Sequence, residues 1–303
     1  MVRNCKQRQQ SPQIWRVNHI SFATRPGYEG EQHDRPHSSV PKLQEALALA
    51  VLEAAEAAAV PTVVVLVHGG SMAIEAIKDR APAILDAHYP GIATGGQAVA
   101  DALYGKFSPA GKLPYSVMPA AFDKLSFFPS MSMTDPPGRT YRYYPTSPDL
   151  PPILIPFGFG LTYTSWQLTV HRLPSPASAA SASSSSSPSS VSPLPSSSAA
   201  ASASKFKFQV RCLNTGSYNS DEVVQVYLEA GPAEAAMKPH RQLIDFQRVH
   251  ARAGQAAVVV FAVSADQLAL VSADGTRHVT PGTYTLAFTN GVDQTARAEV
   301  SVN

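Results

Sequence analysis

The sequence predicts an α/β domain with a largely parallel sheet, followed by an all-β sandwich. A strand–helix–strand pattern between 61 and 87 favours the parallel sheet. After 206, several short alternating segments separated by turns favour an antiparallel sandwich. A total of 303 residues fits two such domains at ~150 residues each.

Composition excludes several classes of partner. The formal net charge is +2, which gives no support to a nucleic-acid partner. Cys5 and Cys212 are too few to predict a disulfide framework or a metal site. No stretch approaches the ~18 apolar residues that cross a membrane, so no membrane partner is predicted. The N-terminus is basic and polar and lacks the apolar core of a secretory signal peptide.

The first domain is predicted over 26–162. Residues 1–25 show neither helical nor strand periodicity and are expected to be poorly ordered. A continuous apolar run rich in β-branched residues, 61–68, is typical of a buried parallel strand. The segments predicted in order are a helix at 41–59, the strand at 61–68, a helical segment at 72–78, a strand at 83–87 and a helix at 95–103.

Ligands of open α/β sheets bind beyond the carboxyl ends of the strands, where His68, Gly69 and Gly70 follow the predicted strand. A nucleotide site is not favoured, because the two glycines form no GxGxxG or GK[ST] motif. No second histidine or carboxylate stands at ligand spacing from His68. We therefore expect a hydrogen-bonded loop histidine, and neither a metal nor a cofactor.

The second domain is predicted over 163–303. Its first strand is expected at 166–173, where side chains alternate. Residues 174–204 are almost wholly Ser, Ala and Pro, which predicts a disordered insertion that cannot bury a core. Further strands are predicted at 206–210, 222–228, 257–263 and 282–289.

Several motifs together resemble glycoside hydrolase family 3, especially its plant-type β-xylosidase branch. The longest is YPGIATGGQAVADALYGKFSPAGKLP at 89–114, and PGRTYRYY at 137–144 and PFGFGLTYT at 156–164 follow it. In 137–144, arginines alternate with tyrosines, which could suggest base stacking. Without a wider basic patch, we favour guanidinium groups packed on tyrosine rings. NTG, DEVVQVYL, RQLIDFQRV and VTPGTYTLAF resemble the fibronectin type III-like domain that ends many family members.

The resemblance also singles out an acidic segment, YEGEQHDR at 28–35. Residue types alone favour a solvated loop. Family β-xylosidases carry E-A-E-x-x-D-R there, and Gly30 replaces the alanine in this chain. The resemblance makes Glu29 the candidate catalytic acid/base, with Glu31 as the reserve. It gives Asp34 and Arg35 a structural role.

The resemblance implies the C-terminal part of a retaining glycosidase, which needs a nucleophile and a proton donor. In the family, the nucleophile lies on an N-terminal TIM barrel of ~250 residues, for which there is no room before residue 41. The parent enzyme would remove terminal β-linked xylose, glucose or arabinose from oligosaccharides, outside the cell or in the cell wall. This chain alone is expected to be inactive. Its partner would be an oligosaccharide or a barrel-bearing chain. The alternative is a non-catalytic carbohydrate-binding or interaction module.

Overall fold

The structure is a computed structural model of the chain. The structure describes residues 18–23, 35–91, 93–125, 130–174, 206–232, 239–272 and 274–303, and for 18–23 it describes the backbone alone. One compact unit ends at Tyr163 and a second begins at Thr164. Among the described residues, no helix has the length and apolarity that crossing a membrane requires.

The first unit is built on a parallel three-stranded sheet. Its strands are β1 (Asn18–Ala23), β2 (Thr62–Val67) and β3 (Ala83–Asp86), in the order β1-β2-β3. β2 lies in the centre and is the most apolar of the three, because both of its faces are covered. The predicted parallel sheet is therefore confirmed.

Strand β1 corrects the prediction of poor order at 18–23, whereas for residues 1–17, 24 and 25, which lie outside the described residues, it stays a prediction. Asn18–Ala23 pairs along its whole length with β2, from Asn18 opposite Thr62 to Ala23 opposite Val67. The segment is too short and mixed to show a periodicity of its own, and its partner lies far along the chain. Such non-local pairing leaves no local signal in the sequence.

Three helices of the first unit follow the predicted pattern with small shifts at their ends, and two short helices after residue 119 were not predicted. The helices are α1 (Lys42–Ala57), α2 (Glu75–Arg80), α3 (Gly95–Leu103), a 3₁₀ helix (Ala120–Lys124) and α4 (Thr140–Tyr143). The bounds of α3 agree with the prediction. α2 begins later than predicted, because Ala73 is held in an extended bridge to Ser39 and its amide donates to the Ser38 carbonyl at 2.9 Å.

Two of the sequence motifs lie against each other in this unit. The amide of Leu113 donates to the carbonyl of Phe159 at 2.9 Å, and that of Val117 donates to the carbonyl of Ile155 at 2.8 Å.

The guanidinium carbon of Arg142 lies 5.5 Å from the ring centre of Tyr143, as the packing interpretation predicted.

The second unit is an antiparallel β-sandwich. Its strands are β4 (Trp166–Arg172), β5 (Phe206–Asn214), β6 (Ser220–Ala230), β7 (Gln242–Ala251), β8 (Ala256–Val263), β9 (Leu270–Val271), β10 (Arg277–His278), β11 (Gly282–Thr289) and β12 (Thr295–Val302). One sheet has the order β12-β11-β6-β7, another has β4-β5-β8, and β9 pairs with β10. The rings of Phe208, Phe261 and Phe288 are fully buried in the core.

Four strands of the sandwich were not predicted from the sequence: the two-residue strands β9 and β10, and the longer strands β7 and β12, which lie at sheet edges. β7 and β12 flank the four-stranded sheet, so each is hydrogen-bonded within it on one side. Their side chains are mostly exposed or half-buried, which removes the apolar alternation that marks a strand. The insertion predicted at 174–204 lies outside the described residues except for Pro174.

The hydroxyl of Tyr284 forms a tyrosine corner at the start of β11. It donates to the carbonyl of Thr280 at 2.6 Å and accepts from the Thr280 amide at 3.0 Å. Sandwiches of the immunoglobulin type use this contact to hold the connection before a strand. Because the tyrosine ring is also fully buried, the contact ties that connection to the core.

Candidate functional site

The acidic segment of the sequence analysis is described only at its last residue. Glu29, Glu31 and Asp34 lie outside the described residues, so their predicted roles stay predictions. Arg35 is described, and its guanidinium donates to the carbonyl of Ser71 at 3.0 Å. Since Ser71 follows β2, Arg35 lies at the carboxyl-end edge of the sheet.

The same edge gathers a cluster of titratable side chains. β2 and β3 pair in parallel with Leu66 opposite Asp86, so their carboxyl ends lie side by side. His68 comes directly after β2, Asp86 ends β3, and His88 comes two residues later. We call His68, Asp86 and His88 the His–Asp–His cluster. One ligand atom from each residue lies within 4.8 Å of the other two.

His68 is buried, with 1% of its surface exposed. Its Nδ1 lies 2.5 Å from the carbonyl oxygen of Gly70. A carbonyl can only accept, so Nδ1 carries a proton and donates. Nε2 lies 3.2 Å from Oδ1 of Asp86, yet this buried atom makes no hydrogen bond of acceptable geometry. Nε2 is therefore close to the carboxylate but is not aligned to form a hydrogen bond with it.

His88 and Tyr115 complete the surroundings of Asp86. Nε2 of His88 lies 3.6 Å from Oδ1 of Asp86. The Tyr115 hydroxyl donates to Oδ2 at 3.0 Å and lies 3.4 Å from Nε2 of His88. His88 has a backbone φ of 51°, in the left-handed region that non-glycine residues rarely adopt. The ring of His88 therefore reaches the carboxylate from an uncommon backbone conformation.

The cluster shifts the pKa values of its members in opposite senses. Burial alone lowers the pKa of His68, but the adjacent Asp86 carboxylate outweighs burial and raises that pKa above its ordinary value. Burial alone raises the pKa of Asp86, but the adjacent His68 imidazole, with smaller contributions from His88 and Tyr115, outweighs burial and lowers that pKa. Burial and the same carboxylate raise the pKa of the Tyr115 phenol. Asp86 is therefore a carboxylate at neutral pH.

A cavity of about 320 Å³ opens beside the cluster. His68, Asp86, His88 and Tyr115 form its polar side, and apolar residues such as Met72 line much of the rest. A space of this size admits small ligands or several water molecules. The arrangement can hold a cation or a proton between two imidazoles and a carboxylate.

The cluster adds neighbours to His68 that its surroundings in the sequence did not show. The predicted hydrogen bond of His68 is present, and a carboxylate and a second histidine lie beside it in space although neither stands at ligand spacing in the sequence. Spacing along the chain did not reveal the cluster, because 18 residues separate His68 from Asp86. The available signal was that both residues end neighbouring strands of one parallel sheet.

Comparisons with known proteins identify both units. Residues 14–163 match the glycosyl hydrolase family 3 C-terminal domain, and residues 222–290 match the fibronectin type III-like domain. "Beta-D-xylosidase 1" of Arabidopsis thaliana is 33% identical over 273 residues, which cover 85% of this chain and 34% of that protein. "Probable exo-1,4-beta-xylosidase" of Aspergillus clavatus is 30% identical over 225 residues, covering 73% of this chain and 27% of that protein.

A solved structure agrees with these matches. The GH3 beta-glucosidase of Bifidobacterium adolescentis superposes with a TM-score of 0.70 at 26% identity, over 94% of this chain and 38% of that one. The chain thus spans about a third of the length of the relatives that it matches. This chain belongs to glycoside hydrolase family 3, and in it the family's C-terminal α/β domain is followed by a fibronectin type III-like domain.

Proposed function

We propose that this chain supplies the acid/base half of a retaining exo-glycosidase that removes terminal β-linked xylose from oligosaccharides. Glu29 is the proton donor and Glu31 its reserve. The nucleophile belongs to a barrel domain, and residues 1–303 by themselves do not turn over glycosides. The site of action is outside the cell or in the cell wall.

The observation that carries this proposal is the family match over 14–163, which includes the acidic segment 28–35. Glu29 stands six residues before Arg35. The guanidinium of Arg35 donates a hydrogen bond to the carbonyl of Ser71, in the loop after β2. The proposed donor is therefore close in sequence to the edge at which α/β sheets bind ligands.

We favour xylose over glucose as the substrate because of the names of the relatives that match in sequence. The Arabidopsis and Aspergillus proteins carry xylosidase names. The Bifidobacterium protein is named a glucosidase, which makes glucose the second substrate to test.

The test is a glycosidase assay of the 303-residue chain, alone and together with a family barrel domain that bears the nucleophile. The substrates are β-xylosides with good and poor leaving groups. We expect no turnover by the chain alone, and turnover by the combination. Glu29→Gln should slow the poor leaving groups by ~10²–10⁴-fold and the activated ones far less, because only poor leaving groups need a proton.

Glu31→Gln is the matched control and should have the milder effect. Turnover by the chain alone would contradict the proposal that the nucleophile belongs to a separate barrel domain. If Glu29→Gln retains full activity on poor leaving groups, the acid is not Glu29. If the 303-residue chain alone binds xylo-oligosaccharides and the combination does not hydrolyse them, the chain acts as a carbohydrate-binding module.

A further inference from the structure

We propose that the His–Asp–His cluster binds a divalent transition-metal ion of the zinc type, with two imidazole nitrogens and one carboxylate oxygen as ligands. This inference rests on described residues and is independent of the proposed glycosidase function. Zinc is bound by this combination of donors in proteins, and imidazole also suits copper, nickel and iron.

Two of the separations between ligand atoms fit a tetrahedral ion. Metal–ligand bonds of ~2.0–2.1 Å place tetrahedral ligand atoms about 3.3 Å apart. Oδ1 of Asp86 lies 3.2 Å from Nε2 of His68 and 3.6 Å from Nε2 of His88. The two imidazole ligand atoms lie within 4.8 Å of each other, so an ion bound by both would draw them together.

The hydrogen bonding of His68 prepares its Nε2 as a ligand. Histidine ligands commonly donate their other ring N–H to a backbone carbonyl, which fixes the tautomer and directs the lone pair at the metal. His68 makes this bond from Nδ1 to Gly70. Its Nε2 is buried without a hydrogen-bond partner, an arrangement that costs free energy unless something else satisfies the atom. An ion between Nε2 and the Asp86 carboxylate would satisfy both.

Three protein ligands leave a fourth position, and the cavity lies on that side of the cluster. All three ligand residues line the cavity together with Tyr115. Zinc sites with three protein ligands characteristically keep the fourth position for water or a small ligand. The Tyr115 hydroxyl holds the other carboxylate oxygen of Asp86, which orients that ligand from outside.

A second histidine–carboxylate pair is less suited to binding a metal ion. Nδ1 of His250 lies 2.7 Å from Oδ1 of Asp221 in the β-sandwich. The Arg248 guanidinium occupies the other oxygen of the same carboxylate at 2.6 Å. Both histidine and arginine are largely exposed there. A fixed positive charge on the carboxylate opposes a metal ion, so His250 provides the matched control.

The test is zinc binding to the tag-free 303-residue chain after removal of metal with a chelator. Equilibrium dialysis against Zn²⁺ measures the bound ions per chain, and the melting temperature is recorded with and without Zn²⁺. We expect one more bound Zn²⁺ in the wild type than in His88→Gln or Asp86→Asn. Since the ion binds the folded state, the wild type should gain melting temperature from this site, and neither His88→Gln nor Asp86→Asn should. His250→Gln should behave as the wild type.

Cobalt(II) provides a second measurement. Wild type loaded with Co²⁺ should show visible absorption bands of a low-symmetry nitrogen–oxygen site that His88→Gln lacks. His88 is the variant of choice if Asp86→Asn does not fold, because its side chain is partly exposed, at 36%. Equal zinc stoichiometry in wild type and a folded His88→Gln overturns the proposal, and so does loss of the ion in His250→Gln instead.

Discussion

Gly160 and Gly111 approach each other so closely that a Cβ atom on Gly160 would overlap the carbonyl oxygen of Gly111. The two residues belong to two family motifs, 156–164 and 89–114. Lys112 reinforces the contact, because its ammonium group donates to the Gly160 carbonyl at 2.6 Å. The approach of backbone to backbone explains why a side chain is excluded at this point.

Gly160→Ala should therefore destabilise the α/β unit by ~1–3 kcal/mol, the usual cost of inserting an atom into a packed site. Gly111→Ala is the control, since its added Cβ would meet no atom within 4 Å. Thermal unfolding measures both variants. An equal melting temperature for the two would contradict the claimed close approach.

Trp166→Ala should destabilise the β-sandwich by ~3–5 kcal/mol, because it leaves a cavity in the core. Trp166 is 5% exposed and begins β4, which pairs with β5 along its length. Phe246→Ala is the control, since Phe246 is 62% exposed on β7. Chemical denaturation followed by circular dichroism checks the difference. A smaller loss for Trp166→Ala than for Phe246→Ala would show that β4 contributes little to the core.

Asp221 should make the β-sandwich sensitive to acid. Burial alone raises the pKa of Asp221, but His250 and Arg248 outweigh burial and lower that pKa below its ordinary 3.8. The unfolded chain then binds a proton more readily than the folded chain. Ionised Asp221 therefore contributes its full stabilisation of the folded state above pH 3.8, the unfolded pKa. This contribution is lost as pH falls through the lower folded pKa.

Asp221→Asn should accordingly flatten the dependence of unfolding free energy on pH between about 5 and 3. Glu299→Gln, on the exposed face of β12, controls for the loss of one carboxylate. The measurement is urea denaturation at a series of pH values. An unchanged slope in Asp221→Asn would refute the assigned pKa shift.

Cys212 should react with iodoacetamide only when the β-sandwich unfolds. The thiol is fully buried on β5, and burial, followed by the charge of Glu222, raises its pKa to about 12. Since the thiolate is the reactive form, the folded chain should be modified far more slowly at pH 8 than the chain in guanidinium chloride. Mass spectrometry of the peptide that contains Cys212 distinguishes it from Cys5. Rapid modification of Cys212 in the folded chain would show that β5 opens readily.

Local sequence pattern was sufficient for the elements that carry their own periodicity. The predicted bounds of α3 and β11 agree with the structure. β2 was predicted because it is apolar on both faces. The family motifs also identified the two domain types, since each motif combines residue types that a specific turn or contact requires.

Only the tertiary structure revealed β1, because its partner β2 lies far along the chain. It also revealed the edge strands β7 and β12, whose mostly exposed or half-buried side chains show no apolar alternation. Separation along the chain likewise hid the cluster of His68, Asp86 and His88. The sequence determined that each residue stands at or just beyond the end of a strand. Parallel pairing of β2 with β3 decided that these ends meet, and so brought two imidazoles to one buried carboxylate.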